Sequence, residues 1–85
     1  SVNDAHFTDN SFEVYPNPVS QKLTIMWPSE AQQSNSTIII RTLDGKEIRT
    51  LQHTKLIDVS DLRSGIYLLE VHSQNVKYIS RFVKN

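Results

Sequence analysis

The chain alternates apolar and polar residues with a period of two along most of its length. No segment sustains the 3.6-residue period that would give a helix one apolar face. Leu23, Ile25 and Trp27 alternate with Lys22, Thr24 and Met26, the pattern of a strand buried on one side. Thr37 to Thr42 carries the β-branched run Ile38-Ile39-Ile40, which reads as a strand buried on both faces. Glu47 to Gln52 returns antiparallel to it, and Leu56 to Val59 forms a short strand. Gly65 to Ser73 places Tyr67, Leu69 and Val71 on one face, with Glu70 and His72 on the other. Val76 to Lys84 runs back beside it. With Phe12 to Tyr15 these segments make seven strands, separated by turn signals at short intervals. The expected fold is all-β: a seven-stranded antiparallel immunoglobulin-like β-sandwich.

The turns have their own chemistry. Pro16-Asn17-Pro18 is a rigid corner between the first two strands, because each proline fixes its own φ and keeps the preceding residue extended. Asn17 can tie its side chain to the local backbone. Asp44-Gly45 predicts a two-residue type I′ hairpin, which needs positive φ angles. Ser60 to Ser64 reads as a single helical turn capped by Ser60. Leu62, Gly65 and Tyr67 together resemble a tyrosine corner, in which a packed phenol bonds a nearby backbone group. Gly65 would there allow a backbone angle or a close approach that a Cβ would block. Gln74-Asn75 predicts a further two-residue turn. Residues 28–36 form a polar loop and residues 1–10 a linker or frayed end, leaving residues 11–85 as the one domain.

Composition narrows the function. A chain of 85 residues buries about 60–68% of its unfolded surface, so its core is thin and no deep pocket is expected. Nine Lys and Arg balance nine Asp and Glu, which argues against a nucleic-acid partner. With no cysteine there is no disulfide, no thiolate chemistry and no thiolate metal site. No apolar run approaches the roughly 20 residues of a membrane-spanning helix. The chain opens on Ser1 without Met or an export signal, which points to a segment of a longer protein; if that protein is exported, its signal lies outside this segment.

Catalytic patterns are weak. His6, His53 and His72 lack the close spacing of a compact metal site and read as solvated surface residues. Ser60, His72 and Asp58 can be combined as a triad only by ignoring the missing nucleophile elbow. Asp58 and Asp61 could act as acid and base, or hold a cation with Ser60, but capping a turn is the simpler role. No catalytic residue, metal or cofactor is expected. Trp27 could stack on a sugar if exposed, which leaves a carbohydrate-binding or adhesive module as the alternative function. Its phase with Leu23 and Ile25 favours burial instead.

The last strand departs from the pattern of the others. Val76, Tyr78 and Phe82 fall on a core-like face, while Lys77, Ile79, Arg81 and Val83 share the opposite one. Lys and Arg on an edge strand protect against aggregation. The same mixture also makes a docking strip for a partner, by packing or by strand addition.

Four motifs in this order resemble the C-terminal sorting domain of type IX secretion cargo. They are Tyr15 to Pro18 followed by Leu23 to Ile25, then Leu43 to Lys46, then Ile57 to Tyr67, and finally Arg81 to Lys84. The resemblance spans Phe12 to Asn85, and within the family it is similar to the type A form found in Bacteroidetes. The Gln74-Asn75 turn departs from it, since a glycine is common there.

The resemblance implies a non-catalytic secretion and sorting signal, needing no cofactor. Its partners would be a covalently attached N-terminal cargo, the type IX translocon with its outer-membrane shuttle proteins, and a cell-surface sortase. The cargo would reach the surface, or be released, by way of the periplasm and outer membrane. The sortase would cut in or before residues 1–10. The family's emphasis on its C-terminal strand makes Lys77, Tyr78, Arg81, Phe82, Val83 and Lys84 the expected recognition residues. Pro16, Asn17, Pro18, Asp44, Gly45, Leu62, Gly65 and Tyr67 would be structural.

Overall fold

The computed structural model describes residues 12–27, 36–73 and 76–85. The expected linker 1–10, the loop 28–36 apart from Ser36, and the Gln74-Asn75 turn lie outside the described residues. The strands are β1 (Glu13–Tyr15), β2 (Lys22–Met26), β3 (Thr37–Thr42), β4 (Glu47–Gln52), β5 (Leu56–Asp58), β6 (Gly65–Ser73) and β7 (Val76–Lys84). They form a three-stranded sheet in the order β1-β2-β5 and a four-stranded sheet in the order β4-β3-β6-β7. Every pairing within the sheets is antiparallel. The chain passes between sheets after β2, β4 and β5, so the fold is the all-β sandwich that the alternation demands.

The core lies between the two inner faces. Val14, Leu23, Ile25 and Ile57 from the smaller sheet meet Ile38, Ile40, Tyr67, Leu69, Val71, Tyr78 and Phe82 from the larger. Trp27, Val19 and Val59 close it at the strand ends. β3 is less buried than its composition predicts: Ile38 and Ile40 are fully enclosed, but Ile39 on the opposite face is half-exposed. No further layer among the described residues covers that outer face.

Two turns differ from their sequence reading. The β3–β4 hairpin closes a three-residue loop, with the Thr42 N–H bonded to Lys46 at 2.9 Å and the Gly45 N–H bonded to Thr42 at 2.9 Å. Gly45 takes φ +95°, the left-handed position such a loop reserves for glycine. The extra residue is absorbed by a register shift between Ile40 and Arg41. Residues 60–64 form no helical turn. Instead the Leu62 N–H bonds the Val59 carbonyl at 3.0 Å, and Asp58 rather than Ser60 supplies the cap. Its carboxylate accepts from the Ser60 N–H at 3.0 Å and the Ser60 hydroxyl at 2.7 Å.

Candidate functional site

β7 is an edge strand whose partner on one side is β6, over the full register from Gly65 opposite Lys84 to Ser73 opposite Val76. Its other side faces the Pro16–Val19 corner. Asn17 accepts the Val83 N–H on its Oδ1 at 2.8 Å and donates from Nδ2 to the Arg81 carbonyl at 3.1 Å. The side-chain amide thus occupies the place of a strand partner. Two residues on, the Val19 N–H bonds the Val83 carbonyl at 2.8 Å and the Asn85 N–H bonds the Val19 carbonyl at 2.9 Å. Val19 and Lys84 form a parallel bridge, and Asn85 Nδ2 donates to the Ser20 hydroxyl at 3.2 Å. Asn17 therefore binds a distant strand, not the local backbone that its position between prolines suggested. A corner read as a simple connector clamps the C-terminus.

The six expected recognition residues split by face. Tyr78 and Phe82 point into the core, 7% and 0% exposed, and Phe82 stacks on Tyr67 with centroids 5.5 Å apart. Lys84 shares that inner face and is also 7% exposed. Its ammonium donates to the Leu62 carbonyl at 2.9 Å and to the Asn85 carbonyl at 3.3 Å, so it fastens the end of the strand. The resemblance implies Lys84 as a recognition residue, whereas the two-residue phase continued past Phe82 puts it on the inner face. Lys77, Arg81 and Val83 remain on the outer face.

That outer face is mixed apolar and basic. Across β6 and β7 it pairs Ile66 with Val83, Leu68 with Arg81, Glu70 with Ile79, and His72 with Lys77. Ile66, Ile79 and Val83 are each exposed by 37–43%. Glu70 is the buried acid at its centre, bound by Arg41 Nε at 2.9 Å and His72 Nε2 at 3.0 Å. Burial alone would raise its pKa. The His72 hydrogen bond and the charges of Arg41 and Lys77 overcome that, leaving it below the ordinary value. Arg41 is thereby engaged, whereas neither Lys77 nor Arg81 forms an ion pair among the described residues.

The structural residues take distinct places. The Tyr67 hydroxyl donates to the Arg63 carbonyl at 2.7 Å, making the corner bond across the turn that leads into β6. Gly65 sits at φ +155° with only Tyr67 Cε1 near its missing Cβ, at 4.0 Å. Its backbone angle, not crowding, is what a side chain would oppose. Leu62 packs partly buried against the core. Asp44 accepts from the Thr42 hydroxyl within the hairpin, which lowers its pKa.

The candidate chemistry does not assemble. Asp58 and Ser60 bond each other in the turn after β5, while His72 lies on the outer face of the other sheet. Asp61 is held by both carboxylate oxygens on Arg49 Nη2, at 2.8 and 2.7 Å, and its pKa is lowered mainly by that bond. Among the described residues, no group of three or more His, Asp or Glu is placed to hold a metal ion. His53 is not a solvated residue: it is half-buried and stacks on Trp27 at 4.1 Å. Trp27 is 8% exposed and donates from Nε1 to the Thr54 carbonyl at 3.0 Å. A surface cleft of about 470 Å³ lies beside it, lined by Tyr15, Thr24, Ile25, Met26, Trp27, His53 and Lys55. Of its aromatic side chains among the described residues, only Tyr15 is well exposed, at 47%.

The described residues form a small sandwich with a clamped terminal strand and a mixed basic-apolar outer face. The family model of the secretion system C-terminal sorting domain matches residues 13–85, and the chain belongs to that family, the type IX secretion sorting domains. The family is one of sorting signals, not of enzymes, and it implies a secreted or cell-surface cargo. A search among curated proteins finds no match.

Proposed function

We propose that this domain is a folded address, read on its C-terminal strand by the type IX translocon and its outer-membrane shuttle proteins. It would carry an N-terminally attached cargo from the periplasm across the outer membrane. Residues 1–10 would be the connection to that cargo, and a cell-surface sortase would cut in or before it, leaving the cargo anchored or released. The observation that carries this reading is the construction of β7. Its inner side chains, Tyr78, Phe82 and Lys84, are committed to the fold, while Lys77, Ile79, Arg81 and Val83 face outward on the same nine-residue strand. A rigid strand presents those outward groups at fixed spacing, which suits recognition by a receptor more than it suits stability.

A reporter cargo fused ahead of residues 1–85 tests the proposal in a type IX-secreting bacterium. The intact fusion is expected at the surface or in the medium, and a fusion lacking residues 76–85 in the periplasm. Normal export of the truncated fusion would overturn the reading.

A further inference from the structure

The clamp divides the free edge of β7 into two halves. The Arg81 carbonyl and both backbone groups of Val83 point toward the corner. Backbone direction alternates along an antiparallel strand. The N–H and C=O groups of Lys77 and Ile79 and the N–H of Arg81 therefore face the same edge. No described residue bonds them. The C-terminal half of the edge is filled by Asn17 and Val19, and among the described residues the preceding half has no partner.

The side chains beside the open half select what can pair with it. Lys77, Ile79 and Arg81 lie in one row on the outer face, with a base on either side of an apolar residue. Neither base forms an ion pair with another described residue. If two copies paired antiparallel about Ile79, Lys77 of one would oppose Arg81 of the other, twice over. Like charges directly opposite are destabilising, so this edge disfavours its own copy. An extended segment with carboxylates two residues before and two after an apolar side chain places opposite charges in register.

We propose that residues 77–81 accept an extended acidic peptide from a partner protein by strand addition, and that the Pro16–Val19 corner sets where this pairing ends. Main-chain hydrogen bonds to Lys77, Ile79 and the Arg81 N–H hold the peptide, and its two carboxylates set register. The corner stops the added strand at Arg81, because Asn17 already holds the next edge groups. This rests on the reading of β7 as the recognised element and adds the partner's chemistry to it.

The test uses the isotopically labelled 85-residue chain and an end-blocked peptide of sequence Thr-Glu-Thr-Val-Thr-Glu-Thr, at low salt. Bound peptide is expected to slow amide exchange at Lys77 and Ile79 by about tenfold or more and to leave Val83 unchanged. Replacing both glutamates by lysine should weaken binding by about tenfold or more. Ile79→Pro removes one outward N–H from an edge strand, where proline is tolerated, and should abolish binding. Should that variant not fold, Lys77→Glu with Arg81→Glu serves instead, and should reverse the preference in favour of the lysine peptide. In Asn17→Ala, a longer acidic peptide should extend its protection to Val83.

No binding, protection elsewhere in the domain, or equal affinity for both peptides would overturn strand addition. Those results would leave the sorting function standing if the fusion lacking residues 76–85 stays in the periplasm. Normal export of that fusion would overturn the sorting reading, whatever the peptide does.

Discussion

Asn17 and Val83 stand 66 positions apart, and the Oδ1 of the first accepts the backbone N–H of the second at 2.8 Å. The same amide donates to the Arg81 carbonyl at 3.1 Å, so one side chain does the work of a strand partner. Asn17→Ala removes both bonds and leaves edge groups to water. It should lower stability by about 1–3 kcal/mol in chemical denaturation. Amide exchange at Val83 should quicken more than at Leu69 in the strand interior. An unchanged Val83 amide would mean that the clamp does not hold in solution.

Tyr67 separates packing from hydrogen bonding. Its ring is buried against Phe82 and its hydroxyl bonds the Arg63 carbonyl. Tyr67→Phe keeps the ring and should cost about 0.5–1.5 kcal/mol. Tyr67→Ala also opens a cavity and should cost about 3–5 kcal/mol. Thermal melts of the two variants check the ordering. Equal losses would show that the ring contributes little beyond its hydroxyl.

Lys84 is expected to behave as a structural residue. Lys84→Ala removes a buried ammonium from the Leu62 carbonyl, and a bond from a charged group is worth about 1.5–3 kcal/mol. The melting temperature should therefore fall. By contrast, Lys77→Gln with Arg81→Gln changes exposed side chains without setting a like charge beside Glu70, and should move stability by no more than about 1 kcal/mol. That double variant should impair export of a fused cargo while its melt stays near that of the parent. Export at the parental level would remove these two bases from the recognition surface.

Glu70 makes stability depend on acid. Its folded pKa lies below the ordinary carboxylate value, since the His72 bond and the charges of Arg41 and Lys77 outweigh burial. A depressed folded pKa gives stability that is fully present above the unfolded pKa, about 4.3 for glutamate. This contribution is lost as pH falls through the folded value. Denaturation midpoints measured from neutral pH down to acid should decline more steeply for the parent than for Glu70→Gln. Parallel curves would assign the acid loss to other carboxylates.

Much of the fold is legible in the order of residues because a strand's side-chain period is exclusively local. Leu23, Ile25 and Trp27 are buried together, as their spacing requires, and so are Tyr67, Leu69 and Val71. Local chemistry also marks the hairpin at Asp44-Gly45. It does not settle the loop length, which depends on how β3 and β4 come into register across the shift at Ile40. The turn after β5 misled for a related reason: Ser60 and Asp58 are both able to cap, and only the path of the chain decides between them.

The candidate surface divides in the same way. Alternation along β7 separates Lys77, Ile79, Arg81 and Val83 from Tyr78 and Phe82, and continued by one residue it places Lys84 inside. Ionic and edge states lie beyond that arithmetic. That Arg41 and His72 engage Glu70, while Lys77 and Arg81 form no ion pair among the described residues, depends on three strands lying side by side.

By itself, then, the sequence determined the all-β class, the inward and outward faces of β2 and β6 and the rigidity of the Pro16-Asn17-Pro18 corner. These follow from backbone geometry and from residues within a few positions of one another. Only the tertiary structure decided that this corner closes the C-terminal half of the β7 edge, while no described residue pairs with the edge at 77–79. Hydrogen bonds between residues more than 60 positions apart leave no periodic trace in the chain. They exist because folding brings the first turn and the last strand together.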